Sequence, residues 1–283
     1  MTYDYTIKYK SENTYENQVF EAHWQFMISP ENNSTQTLLS SQFKSSVDSK
    51  IEDSINGYNF QSYRIHCKKP FDTINFEAEF KLVKVEINPF EFATSQNDND
   101  SYEIIEKLDF KIDNESFLTP TKLTQLSAKN ETIYKFDKSL SLVDNLIALN
   151  NWAYLHLFFK VGVTDVNTTL DEIIDKRNGV CQDFSHLFIA IARKNNIPAR
   201  YVSGYLHQGD GFFGDSQMHA WVEAYVPNLG WIGFDPTNNL LANHNHIKVS
   251  HGRDYNDCPP IKGVIYSSGK NETKYSVEVS YQQ

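Results

Sequence analysis

The chain has 283 residues, 40% of them hydrophobic and 14% aromatic, with a formal net charge of −10. That supplies a core for one large domain or two ordinary ones and excludes general disorder. An acidic balance gives no basic field to release counterions, which excludes nucleic acid as a partner of the whole chain, and no apolar run approaches the ~18 residues of a membrane helix. The opening Met1-Thr2-Tyr3-Asp4-Tyr5 has no basic region followed by an apolar stretch, so a cytoplasmic location and no membrane contact are expected.

Residues 1–90 read as a β-rich, sandwich-like module. Tyr3, Tyr5, Ile7 and Tyr9 alternate with polar residues, as on a half-buried strand. Val19 to Ile28 is a second extended run, followed by the turn Pro30-Glu31-Asn32-Asn33. Ser62 to Cys67 and Phe76 to Val85 are further strands. Residues 91–140 change character, with the polar stretch Ser95 to Ser101, and read as a connecting region. Residues 141–283 read as an α+β core. Leu142, Leu146, Leu149, Ala153 and Leu157 recur at helical spacing, and Thr169 with Glu172 has capping-box spacing. Asp183 to Asn195 is a strongly apolar helix. Strands follow at 199–206, 220–226 and 230–234, with one more in the tail at 273–281.

Cys67, Cys181 and Cys258 lie far apart with no C-x-x-C pair, which argues against a disulfide framework or a cysteine-built zinc site. Cys181 stands out because Gly179 precedes it and the apolar helix follows at once. A helix start offers a thiolate the positive end of the dipole and unpaired N–H groups, and the same groups can hold an oxyanion. His219 begins a strand and can serve as a general base. Asp235 ends the next strand, before Pro236. An antiparallel hairpin through Pro227 to Gly230 predicts His219 opposite Asp235 at one rim, where the carboxylate would fix the imidazole tautomer.

These residues carry a resemblance. Gly179-Val180-Cys181-Gln182-Asp183-Phe184, His219-Ala220-Trp221-Val222-Glu223, and Gly230-Trp231 with Asp235-Pro236-Thr237 resemble the bacterial transglutaminase-like family. Ile197 to Leu206 and Gly252-Arg253-Asp254-Tyr255 resemble flanking segments of its core, and the β-rich first half resembles the module that accompanies this core in many bacterial members. The resemblance implies a papain-like core, with a nucleophile helix packed on an antiparallel sheet, and Cys181, His219 and Asp235 as nucleophile, base and orienter. It implies acyl transfer through a thioester with no cofactor and no metal, on a peptide or protein substrate. Hydrolysis of peptide or isopeptide-like amides is the leading expectation. Transglutaminase-type cross-linking and a catalytically weak peptide-binding module are the alternatives. Gln182, beside the nucleophile, and Trp152, whose indole could donate to the site, are candidates for the oxyanion or substrate site. Asp183 suits the helix dipole but would oppose a thiolate if its carboxylate lay close. The Gly- and Asp-rich segment 209–218 reads as a loop beside the site, able to act as a lid. His244 and His246 have no carboxylates at ligand spacing, so they point to no metal.

Overall fold

The structure, a computed structural model, describes residues 1–90, 100–207 and 217–282. Six strands open the chain: β1 (Thr2–Val19), β2 (Glu21–Phe26), β3 (Gln36–Ser45), β4 (Lys50–Ile55), β5 (Gln61–Cys67) and β6 (Phe71–Val85). Strand β1 keeps its alternation well past Tyr9: Tyr5, Ile7, Tyr9, Ser11, Asn13 and Tyr15 are buried, while Lys8, Lys10 and Glu12 face water. Three short helices follow, α1 (Ser101–Glu106), α2 (Leu108–Asp113) and α3 (Glu115–Leu118).

The rest of the chain alternates helix and strand before turning to sheet. Its elements are α4 (Leu142–His156), β7 (Phe158–Phe159), α5 (Leu170–Lys176), β8 (Asn178–Gly179), α6 (Cys181–Lys194), β9 (Ala199–Leu206), β10 (His219–Val226), β11 (Gly230–Asp235), β12 (Leu240–Leu241), β13 (His246–Gly252), β14 (Ile261–Tyr266) and β15 (Asn271–Gln282). Ser141 caps α4 and Thr169 caps α5 in a full capping box with Glu172.

Two four-stranded antiparallel sheets, β15-β1-β6-β3 and β14-β2-β5-β4, form the sandwich. Aromatic rings knit them together: Phe26 of the second sheet lies 4.8 Å from Phe76 and 6.3 Å from Tyr9 of the first. The sequence reading ran the core on to residue 283, but β14 pairs with β2 and β15 runs along β1 from Asp4↔Gln282 to Tyr15↔Asn271. The sandwich is therefore built from both ends of the chain. Strands β3 and β4, absent from the sequence reading, are sheet edges whose side chains are mostly exposed, so they carry little hydrophobic alternation.

The core is one antiparallel sheet, β12-β11-β10-β9-β13. Phe184, Leu187, Phe188 and Ile191 of α6 are buried, and Phe188 stacks on Phe234 at 5.3 Å. From residues 100–140, Ile105, Leu123 and Leu126 are buried, while α2 and α3 bury no residue of their own. The buried Arg193 of α6 donates to the carbonyls of Phe117, Thr119, Ala199 and Arg253 and to Thr124 Oγ1, drawing the α3 segment and the C-terminal end of β13 onto the helix.

Strand β13 also meets the sandwich. The Gln36 side chain donates to the Lys248 carbonyl (2.7 Å) and accepts from its N–H (3.0 Å), and Lys84 Nζ donates to the His246 carbonyl (2.6 Å). These bonds satisfy an edge strand's backbone from the neighbouring module. Beside them Glu223 accepts from Lys248 Nζ (2.7 Å) and Arg200 Nε (2.6 Å), and the Arg200 guanidinium lies 4.0 Å from the Trp231 ring centre.

Burial alone would raise the Glu223 carboxyl, but Lys248 and Arg200 overcome this and hold it at about 2. Its stabilisation is present above the ordinary value of 4.5 and is lost as pH falls through about 2. Glu223→Gln should cost roughly 2 kcal/mol near neutral pH, because it removes the partner of Arg200 and leaves Lys248 only the 3.7 Å pair with Glu31. Urea denaturation should show this deficit shrinking as pH falls from about 4.5 toward 2.

Candidate active site

Cys181 is the first residue of α6, after Val180 in extended conformation as N-cap. The local geometry depends on Gly179. A Cβ there would come within 2.6 Å of the Asp183 Cβ, so glycine lets the third helical residue fold back over the entry. The Asp183 carboxylate accepts from the Val180 N–H (2.8 Å) and from Thr164 Oγ1 (2.6 Å). Burial raises its carboxyl. Its bonded oxygen is thus committed to holding the helix entry. Among the three cysteines, Cys67 and Cys258 are buried and Cys181 is partly exposed. Burial pushes the Cys258 thiol well above its ordinary value, leaving it inert.

His219 opens β10, and its ring is enclosed. Its Nε2 lies 2.8 Å from Asp235 Oδ2. The other nitrogen, Nδ1, is buried with no hydrogen-bond partner, and Cys181 is among the groups that raise the imidazole. The register refines the expected hairpin. Val222 pairs with Phe234, which sets Asp235 level with Trp221 and diagonal to His219 on the same sheet face.

Asp235 is fully enclosed. Its Oδ1 accepts from the N–H groups of Thr237 (3.1 Å) and Asn238 (3.2 Å), an Asx turn that Pro236 starts. Its Oδ2 accepts from Asn238 Nδ2 (2.8 Å), from His219 and from His246 Nε2 (3.2 Å). His246 Nδ1 accepts from the Asn243 N–H (3.2 Å), so the proton of its neutral ring sits on Nε2 and points at the carboxylate. Burial opposes the Asp235 charge, yet the His219 charge and these bonds hold the carboxyl far below the usual range. Burial likewise lowers His219, and Asp235 more than offsets it, so the imidazole is pushed up to about 10. Burial keeps His246 neutral, below its ordinary value.

Asn238 goes unread in the sequence, and His246 is weighed there only as a metal ligand and not as a partner of Asp235. Asn238 had a signal, the turn-forming Asp235-Pro236-Thr237-Asn238 run. His246 had none, because two strands separate β13 from β11 in the sheet. The two residues meet only because the sheet curls. Gly204, paired with His219, makes room on the concave face: a Cβ there would lie 2.5 Å from the Trp221 ring and 2.3 Å from the Ile247 carbonyl. Another missed residue is Tyr275 on β15, whose hydroxyl donates to Gln217 Oε1 (3.3 Å). Its phenol is raised by burial and then by the Cys181 charge.

The other candidates fall as follows. Gln182 is the second residue of α6 and partly exposed, next to Cys181. Trp152 stacks on His156 (4.5 Å) and packs against Tyr134 (5.0 Å), neither of which belongs to the Cys181–His219–Asp235 group. Residues 208–216, which hold most of the suggested lid, lie outside the described residues; Gln217 and Met218 lead directly into β10.

Residues 129–236 match the family model of the transglutaminase-like superfamily, a span that contains all three residues. An uncharacterised protein of Mycobacterium tuberculosis is 29% identical over 290 residues, covering 95% of this chain and 90% of its own length. A protein-glutamine gamma-glutamyltransferase of Pseudomonas aeruginosa is 34% identical over 80 residues, 24% of this chain and 11% of that protein. A solved structure from Cytophaga hutchinsonii, described provisionally as a cysteine protease, superimposes with a TM-score of 0.80 at 22% identity, covering 100% of this chain and 92% of that one. The chain therefore carries a transglutaminase-like core within an α+β fold.

The raised His219 contributes stability that is complete below its ordinary value of 6.5 and is lost as pH rises through about 10. Asp235→Asn removes the charge that offsets burial. Histidine-ring NMR should then show His219 titrating below about 6.5 instead of near 10.

Proposed function

We propose that this protein is a thiol-dependent acyl-transfer enzyme that hydrolyses peptide or isopeptide-like amides through a thioester on Cys181. The observation that supports this reading is the buried His219–Asp235 pair, with the second ring nitrogen left unpartnered, in a fold that places the partly exposed Cys181 thiol at the head of α6.

In this reading the Cys181 sulfur, its proton passed to His219 Nδ1, adds to the amide carbonyl carbon. The oxyanion gathers at the α6 N-terminus, with Gln182 as a neighbouring donor. The C–N bond breaks as His219 returns the proton to the leaving nitrogen, so an amine departs and a thioester remains. Water then adds with His219 as base, and the carboxylic acid leaves as the thiol reforms. Asp235 keeps the imidazole in register and balances the imidazolium without taking a proton. His246 and Asn238 hold Asp235 still.

A primary amine in place of water would give cross-linking instead. The gamma-glutamyltransferase likeness favours weighing this second outcome, since the same thioester serves both. Intact-mass analysis after incubation with a peptide library, with and without a primary amine, separates the two. A transient acyl adduct on Cys181, absent from Cys181→Ala, is expected, with free acid as product even when the amine is present. An amide product formed from the added amine would make cross-linking the activity. No adduct with any peptide would favour the peptide-binding module.

A further inference from the structure

Far from Cys181, on the sheet of the sandwich that contains β2 and β5, three ligand-type side chains converge. His23 and His66 are directly paired across β2 and β5, and their rings stack at 3.9 Å with an interplanar angle of 17°. Glu21 lies two residues before His23 on the same strand face, with Oε1 at 2.7 Å from His66 Nε2 and 3.6 Å from His23 Nε2. All three ligand atoms lie within 4.8 Å of one another. Ala22, Trp24 and Cys67 of the same strands point into the core, so this trio faces solvent. Sequence spacing hid it, since Glu21 and His66 are 45 positions apart.

We propose that Glu21, His23 and His66 form a binding site for a divalent transition metal of the zinc class. Two imidazoles and one carboxylate are a zinc-type donor set, and a tetrahedral ion with bonds of ~2.1 Å needs donors ~3.4 Å apart. The 3.6 Å separation already matches, and the 2.7 Å one opens when the ion replaces the proton between Glu21 and His66. In the neutral His66 ring that proton moves to Nδ1, so no other group need accept it. Water completes the fourth position. Lys68 lies near enough to act on Glu21, and Lys50, opposite His66, is paired with Glu52 at 2.7 Å. A single carboxylate supplies too few oxygens for calcium or magnesium, whereas imidazole nitrogens select zinc, nickel or copper.

His219, Asp235 and His246 also bring their ligand atoms together. There, however, both Nε2 atoms face Asp235 as donors, and Asn238 Nδ2 donates to the same oxygen, so the trio is closed by its own hydrogen bonds.

The test is calorimetric titration with Zn²⁺ alone on a Cys181→Ala background, which removes the partly exposed thiol as a competing ligand. One ion per chain should bind. His23→Ala and His66→Ala should each weaken binding by ~10-fold or more, and Glu21→Gln should weaken it less, with circular dichroism unchanged because the three side chains are solvent-facing. Absence of Zn²⁺ binding, or binding that survives both histidine substitutions undiminished, would overturn the proposal.

Discussion

The candidate site depends on one buried negative charge. A carboxylate sealed from water costs several kcal/mol unless its oxygens are satisfied, and Asp235 is satisfied by two backbone amides, one side-chain amide and two imidazoles. Each donor comes from a different local cause. The Asx turn follows from Pro236, His219 from the first residue of β10, and His246 from the curl that brings β13 round to the end of β11. The charge in turn fixes which His219 nitrogen stays free of the carboxylate. A neutral group at Asp235 would leave the imidazole free to turn and, in so buried a setting, uncharged.

The two modules are coupled through the same region. Gln36 and Lys84 of the sandwich hold the backbone of β13, and Lys84 bonds the carbonyl of His246 itself. Tyr205 of β9 returns the contact by donating to the Ile28 carbonyl at 2.6 Å. The chain's last strand, laid along β1, carries Tyr275 to the neighbourhood of Cys181. The sandwich thus braces the strand that carries His246.

Much of this was legible in the sequence because local chemistry decided it. The apolar period of α6, the capping box of Thr169 and the alternation of β1 each act within a few residues. Cys181, His219 and Asp235 stood at the ends of such elements, where a helix start or a strand terminus defines a rim. What was not legible depended on pairing over distance. The returns of β14 and β15 to β2 and β1, the meeting of His246 with Asp235, and the Arg193 hub that draws residues 117–124 onto α6 leave no mark in local periodicity. Strands β3 and β4 escaped for the opposite reason: as exposed edges they need no apolar face. Asp183 shows a local signal with two readings, since its place in the first helical turn suits the dipole and leaves open where its carboxylate lies, which Gly179 decides by letting it fold back onto the helix entry.

The central claim is that Cys181 is held as an activated thiol by His219 and, through it, by Asp235. Peptide-resolved alkylation with iodoacetamide across a range of pH measures this directly, because only the thiolate reacts. The account predicts that at about pH 6, well below the ~8.5 of a free thiol, Cys181 alkylates far faster than Cys67 or Cys258, and that His219→Ala removes most of this rate. A Cys181 that reacts no faster than the other two at that pH, with a rate unchanged by His219→Ala, would contradict it.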